Sequence, residues 1–182
     1  MPTIAPERPD TAFKPGYRGF LAFAAAIGEP LAPYQRRIAR AFFNSLELAV
    51  ILPKGNLKTH TAALLGFHHL LVTPDAEVRI VAASRRHSEI VLKRMKMFAR
   101  HPLVHDRITI TYFELRHEEL HGDLMVISAE GGKLHGDSPS LIIGDEVWQW
   151  KSQLEMLEAV RETQIKNSDC LASLRSNQSP GG

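Results

Sequence analysis

Residues 49 to 59 read Ala49-Val50-Ile51-Leu52-Pro53-Lys54-Gly55-Asn56-Leu57-Lys58-Thr59. An apolar run stops at a Pro/Gly/Asn turn, and a Lys-Thr pair opens a helix-like segment. This is the layout of a phosphate-binding P-loop. There, backbone N–H groups wrap a β-phosphate, a lysine reaches the β/γ oxygens and a hydroxyl ligates Mg²⁺. Against the pattern G-x-x-x-x-G-K-[ST], both defining glycines are missing, and Leu52 and Leu57 stand in their places. Gly-Asn turns before helices are common, so this stretch alone leaves an ordinary strand-turn-helix open beside a nucleotide site.

A second stretch narrows the choice. Leu141-Ile142-Ile143-Gly144-Asp145-Glu146 reads as a mostly apolar buried strand ending in two carboxylates. In P-loop NTPases the strand next to the loop carries an acid that holds Mg²⁺, and a following Glu can take a proton from the attacking water. Asp-Glu after a strand is by itself equally a helix N-terminal charge or a solvated turn. Both motifs, however, occur in the right order, each at the C-terminal end of an expected strand. That is the edge at which open parallel α/β sheets build their sites.

The composition agrees with one soluble globular domain: 182 residues, 44% hydrophobic and 23% charged. With 22 basic against 20 acidic residues there is no global nucleic-acid signature. Locally, Arg36, Arg37 and Arg40 cluster early, and Arg85, Arg86, Lys93, Arg94, Lys96 and Arg100 cluster mid-chain. Such runs suit solvated helix faces or a polyanion surface. A single cysteine, Cys170, excludes an internal disulfide and fits a reducing compartment. No apolar stretch approaches a membrane span, and the Pro-rich N-terminus lacks the apolar core of a signal peptide.

Residues 1–16 read as an extended arm and 17–182 as one domain. A turn is expected around Gly28 to Pro33, followed by a helix opened by Tyr34-Gln35. Strands are expected at 46–52, 78–82, 107–112, 124–128 and 170–174, and helices at 58–71 and 86–100. Thr73-Pro74-Asp75 should end the first of those helices, and Ile90, Val91, Met95 and Phe98 should face inward from the second. Ser152 and Glu155 form a capping-box pattern for a further helix. The alternation predicts an α/β fold with a mainly parallel sheet flanked by helices.

With both motifs in hand, the chain resembles the N-terminal ATPase domain of the large terminase subunit of tailed bacteriophages over about residues 18 to 180. Pro33-Tyr34-Gln35 is similar to the Pro-aromatic-Gln segment ahead of that family's P-loop. Pro53 to Thr59 follows its Pro-[Arg/Lys]-x-Asn-Gly-Lys-[Thr/Ser] at all but the last glycine, where Leu57 stands. Asp145-Glu146 matches its acid pair, and Ser176-Asn177-Gln178 is a loose match to its coupling segment. The resemblance implies a P-loop NTPase of the ASCE/RecA-like kind that hydrolyses ATP with Mg²⁺. Its ATP site would comprise Gln35 at the adenine edge and Pro53, Lys54, Gly55, Asn56, Leu57, Lys58 and Thr59 around the phosphates. Lys58 would neutralise the γ-phosphate, Thr59 and Asp145 would hold the metal, and Glu146 would be the general base. An arginine finger in trans is implied but not identified; Arg116 and Lys133 are weak candidates.

Implied partners are double-stranded DNA, a small terminase subunit, a portal ring and further copies of the chain in a ring, in the cytoplasm of an infected or lysogenic bacterial host. The chain is expected to stop before the family's nuclease domain, so no nuclease residues are carried over. A non-catalytic remnant or assembly module, or another P-loop ATPase such as a helicase-like protein, remains open. The nine histidines, with His117 and His121 four apart, lack the H-E-x-x-H pattern or a Cys partner of a zinc site. Trp148 and Trp150 read as packing or subunit-interface residues.

Overall fold

The computed structural model describes residues 12–53, 55–112, 114–130 and 139–150, and the backbone of 172–176. Four helices and seven strands are described: α1 (Gly16–Ala26), α2 (Pro33–Phe43), β1 (Leu48–Leu52), α3 (Lys58–Val72), β2 (Glu77–Ala82), α4 (Arg85–Ala99), β3 (Ile108–Ile110), β4 (Glu114–His117), β5 (Gly122–Ser128), β6 (Leu141–Asp145) and β7 (Ala172–Ser176). Short 3₁₀ turns, His105–Arg107 and Val147–Gln149, precede β3 and follow β6.

The strands form one sheet in the order β1-β7-β6-β2-β5-β4-β3. The first five are parallel, and β4 and β3 add an antiparallel edge. The mixed α/β class with a mainly parallel sheet is therefore as expected. One detail differs: the acid-bearing β6 is not the neighbour of β1, because β7 lies between them.

Strand β2 is buried on both sides, as a central parallel strand must be. Its alternate residues serve two cores. Val78 and Ile80 join Leu124, Leu141 and Ile143 under α3, α4 and α1. Val81 joins Ile142, Val147 and Trp150 in a smaller cluster. Helix α3 is buried almost all round, which explains why its residues show little polar–apolar segregation.

Two readings change. The apolar stretch from Gly16 to Ala26 is helix α1, which was not assigned from sequence; Phe20 and Phe23 are fully buried there. Ile90 does not face inward: it is 44% exposed, and the inward stripe of α4 is Val91, Met95, Phe98 and Ala99. His117 ends β4 and His121 sits in the turn before β5. Of the expected arm, Ala12 is buried and Gly16 already opens α1, while residues 1–11 lie outside the described residues. The helix expected from Ser152, together with Lys133, Cys170 and Asn177-Gln178, also lies outside them.

Candidate functional site

Parallel strands all end on the same edge, so Leu52 of β1, Ala82 of β2 and Asp145 of β6 deliver their following loops together. A cleft of about 540 Å³ opens there, lined among others by Gly55, Lys58, Thr59, His87, Arg94 and Glu146.

The loop after β1 turns through two left-handed residues. Gly55 has φ +86°, and a Cβ there would meet open space, so its requirement is conformational rather than steric. Leu57 has φ 46° and ψ 33°, a left-handed conformation that a bulky side chain adopts at a cost. Side-chain bonds hold the turn closed: Asn56 Nδ2 donates to the Pro53 carbonyl at 3.1 Å, and Tyr34 Oη donates to the Asn56 carbonyl at 3.2 Å. Lys54 lies outside the described residues.

Lys58 is buried, and its ammonium donates to the carbonyls of Leu52 (3.1 Å) and Pro53 (3.0 Å). Thr59 Oγ1 donates to Asp145 Oδ2 at 2.7 Å, joining residues 86 apart in sequence. The other Asp145 oxygen, Oδ1, is buried without a hydrogen-bond partner among the described residues. Burial pushes the Asp145 carboxyl above its usual pKa; the Thr59 hydrogen bond opposes this, Glu146 adds to it, and His87 and Lys58 oppose it. A hydroxyl and an orphaned carboxylate oxygen side by side form an oxygen set suited to a hard cation.

Glu146 also sits in the left-handed region, with φ 53° and ψ 42°. Its Oε2 lies 3.7 Å from His87 Nδ1, and neither atom has a closer partner among the described residues. Trp150 fixes the acid loop from behind. Its indole N–H donates to the Asp145 carbonyl at 3.2 Å, and a Cβ at Gly144 would come within 2.7 Å of Val147 Cγ2 and 3.1 Å of the Trp150 ring.

Gln35 is placed differently from the expectation. It is buried at the α2–α3 contact: its Oε1 accepts from the Ala32 N–H at 2.8 Å, and its Nε2 donates to Thr61 Oγ1 at 2.9 Å. Its amide offers no free edge to the cleft in this arrangement. Arg116 lies on β4, paired with Glu114 away from the cleft.

His60, His87 and Arg94 were not singled out for this site. His60 Nε2 lies 3.2 Å from Glu29 Oε2, and its Nδ1 lies 3.1 Å from an Arg94 guanidinium nitrogen. Burial lowers the His60 pKa, opposed by Glu29 and reinforced by Arg94. The available signal was positional: His87 opens the helix after β2, at the same sheet edge as the loop.

No protein-family model matches the chain, and no curated protein matches it by sequence. Solved structures do match by fold. The HK97 bacteriophage large terminase superposes with a TM-score of 0.79 at 24% identity, over 89% of this chain and 38% of that one. The Thermus phage P74-26 large terminase ATPase domain gives 0.69 at 16% identity, over 87% of this chain and 70% of that one. A point mutant of that domain gives 0.71. The chain thus has the fold of phage large terminase ATPase domains and spans 38% of the length of the HK97 protein. Among the described residues, no helix is long and apolar enough to cross a membrane.

Proposed function

We propose that this chain is a P-loop NTPase of the ASCE/RecA-like kind, the ATPase module of a viral DNA-packaging terminase that hydrolyses ATP to move double-stranded DNA into a procapsid. The observation that carries the reading is the 2.7 Å hydrogen bond from Thr59 to Asp145 in a cleft shared with Lys58 and Glu146. An ordinary strand-turn-helix has no reason to bring these four together.

Thr59 and Asp145 would hold Mg²⁺, and the orphaned Asp145 Oδ1 fits that role. Mg²⁺ held there would supply positive charge to neutralise the charge that develops on the phosphates. Lys58 starts on two carbonyl dipoles. A phosphate would offer it a charge-assisted bond roughly twice as strong, so the ammonium exchanges the loop carbonyls for the nucleotide. Glu146 orients a water and takes its proton as the water attacks. The N–H groups from Gly55 to Thr59 would follow the phosphate chain, and Pro53 and Lys54 belong to the same proposed nucleotide-binding segment. Gln35 anchors α2 to α3 beneath the loop and would reach a base only after releasing Ala32 and Thr61.

DNA would be gripped through its backbone. Arg85, Lys93, Lys96 and Arg100 of α4 line a groove of about 740 Å³ with Tyr112 on its rim. Such contacts are sequence-independent and salt-sensitive. A ring of copies with a small subunit and a portal, in the host cytoplasm, completes the reading.

A second reading, a non-catalytic assembly module, draws on the strained Leu57 and on Lys58 folded onto its own loop. Mg²⁺-dependent ATP turnover, measured with and without double-stranded DNA, separates the two. Turnover abolished by Lys58→Ala and Glu146→Gln supports the motor module. Absence of both nucleotide binding and turnover leaves the assembly module.

A further inference from the structure

Arg94 differs from the rest of the basic helix to which it belongs. Arg85, Lys93, Lys96 and Arg100 look outward onto the groove, whereas Arg94 turns to the other side and lines the nucleotide cleft. It is half-buried, and among the described residues it has no carboxylate partner. Among the described residues its side-chain hydrogen bond is to an imidazole, His60 Nδ1, at 3.1 Å.

That bond has a definite polarity. A guanidinium can only donate, so His60 Nδ1 is the acceptor and carries no proton. The His60 proton then sits on Nε2 and is directed at Glu29 Oε2, 3.2 Å away. Glu29 stands in the α1–α2 connection, His60 in the first turn of α3 and Arg94 in the middle of α4. The chain Glu29–His60–Arg94 therefore aims the guanidinium without neutralising it. An uncompensated, oriented guanidinium beside a helix N-terminus is suited to bind the fork of a phosphate.

We propose that Arg94 binds the phosphate chain of the nucleotide in cis, with His60 and Glu29 as its positioning residues. His60 immediately follows Thr59 at the start of α3, while Glu146 faces His87 across the cleft. Arg94 is thus placed toward the phosphates that ADP and ATP share rather than toward the site of water attack. This rests on the nucleotide-binding reading of the same cleft.

The test is equilibrium binding of Mg-ADP and of a non-hydrolysable Mg-ATP analogue to the whole chain, followed with a fluorescent nucleotide, for the parent, Lys58→Ala, Arg94→Ala, Arg94→Lys and Glu29→Gln. Arg94→Ala should weaken both nucleotides tenfold or more and by similar factors. Arg94→Lys, which keeps the charge and loses the fork, should recover part of the loss, and Glu29→Gln should cost a few-fold. Melting temperatures show that each variant is folded. If Lys58→Ala weakens binding while Arg94→Ala binds like the parent, Arg94 has no phosphate role and the proposal falls. A loss with the ATP analogue alone also overturns it, because the contact would then be to the γ-phosphate. If the parent binds neither nucleotide, the function proposed for the cleft fails first.

Discussion

At its start helix α3 carries Lys58, Thr59 and His60; at its other end it carries Phe67, His68, Leu70 and Leu71. Both ends are buried, yet they are packed against different surroundings. The far end lies in an aromatic cluster, with the His68 ring 5.5 Å from those of Phe20 and Phe23, and Phe67 6.0 Å from Phe23 and from Phe98. The near end meets polar groups that are incompletely paired. Five buried polar side-chain atoms lack a partner among the described residues, and three of them belong to Asp145, Glu146 and His87. Two strained backbones, Leu57 and Glu146, flank the same cleft. Another of the five unpartnered atoms, His68 Nε2, lies at the far end among the aromatic rings, so unsatisfied bonding capacity is concentrated at the near end but not confined to it. Changes at the two ends should therefore separate cleanly into binding or turnover effects and folding effects.

The largest effect should come from the acid loop. Glu146→Gln keeps the shape of the side chain and removes the base, so turnover should fall by about 10²–10⁴-fold, with Mg-ATP binding retained through Lys58, Thr59 and Asp145. Lys58→Ala should instead weaken binding itself. Single-turnover kinetics beside nucleotide titration checks both. Glu146→Gln hydrolysing at the parent rate would remove the assignment of the base.

Next is the opposite end. Phe67 is fully buried among Phe23, Phe98 and α3's own neighbours. Phe67→Ala should cost about 3–5 kcal/mol of unfolding free energy, read by denaturant melts, and should leave nucleotide affinity unchanged in the fraction that remains folded. An affinity loss would mean that the two ends are coupled along the helix.

His68 gives this comparison a pH dependence. Burial lowers its pKa from 6.5 to about 4, opposed by a hydrogen bond to the Lys14 backbone, and His69 is lowered to about 4 by burial as well. A base with a depressed folded pKa is neutral in the fold and protonates more readily when unfolded. Each histidine's contribution is thus intact above about pH 6.5 and is lost as pH falls toward 4. For a difference of about 2.5 units this amounts to roughly 3 kcal/mol per group. Stability measured between pH 7 and pH 4 should show the decline, and His68→Leu should make it smaller by roughly 3 kcal/mol over that range. An unchanged slope would place the acid sensitivity elsewhere.

How much of this was legible in the sequence follows from the range of the interactions. The strand ends at Leu52 and Asp145 and the Lys58-Thr59 pair could be read because each is a local pattern, and the parallel topology then brings them to one edge. The insertion of β7 between β1 and β6 depends on pairing across more than 100 residues, which no local pattern encodes. Helix α1 was missed because Gly19 to Ile27 is nearly all apolar, and a run without polar punctuation carries no period to read. Arg94 was counted with the outward basic residues, although its spacing places it beside the inward stripe. It lies three residues after Val91 and one before Met95, on the flank of the buried face. Gln35 could not be placed, because whether an amide faces a ligand or a neighbouring helix depends on Ala32 and Thr61 both being in reach.

The smallest effect, and the sharpest test of how the loop works, is expected at Leu57. From sequence, Leu57→Gly should tighten ATP binding by roughly tenfold or more, tenfold being the equivalent of 1.4 kcal/mol, on the argument that a left-handed backbone at this position costs a leucine about 1–2 kcal/mol and that its side chain partly excludes the nucleotide. The structure moves that cost. Leu57 already has φ 46° without a nucleotide, so the strain is carried by the folded chain before binding and cancels from the binding equilibrium. What remains for affinity is the side chain itself, which is 52% exposed at the rim of the cleft and can move aside. Leu57→Gly should therefore change nucleotide affinity by less than about threefold, well under the tenfold per 1.4 kcal/mol scale. Folding should gain instead. Relief of about 1–2 kcal/mol of strain exceeds the roughly 0.5–1 kcal/mol that glycine's extra unfolded-state freedom removes. The net of up to about 1 kcal/mol corresponds to a melting temperature higher by about 2–4 °C for a chain of this size. Paired thermal melts and titrations of the two variants decide it. A tenfold or larger gain in affinity with an unchanged melting temperature would show that the loop leaves this conformation when nucleotide enters, and the near end of α3 would then be remodelled by its ligand rather than built in advance for it.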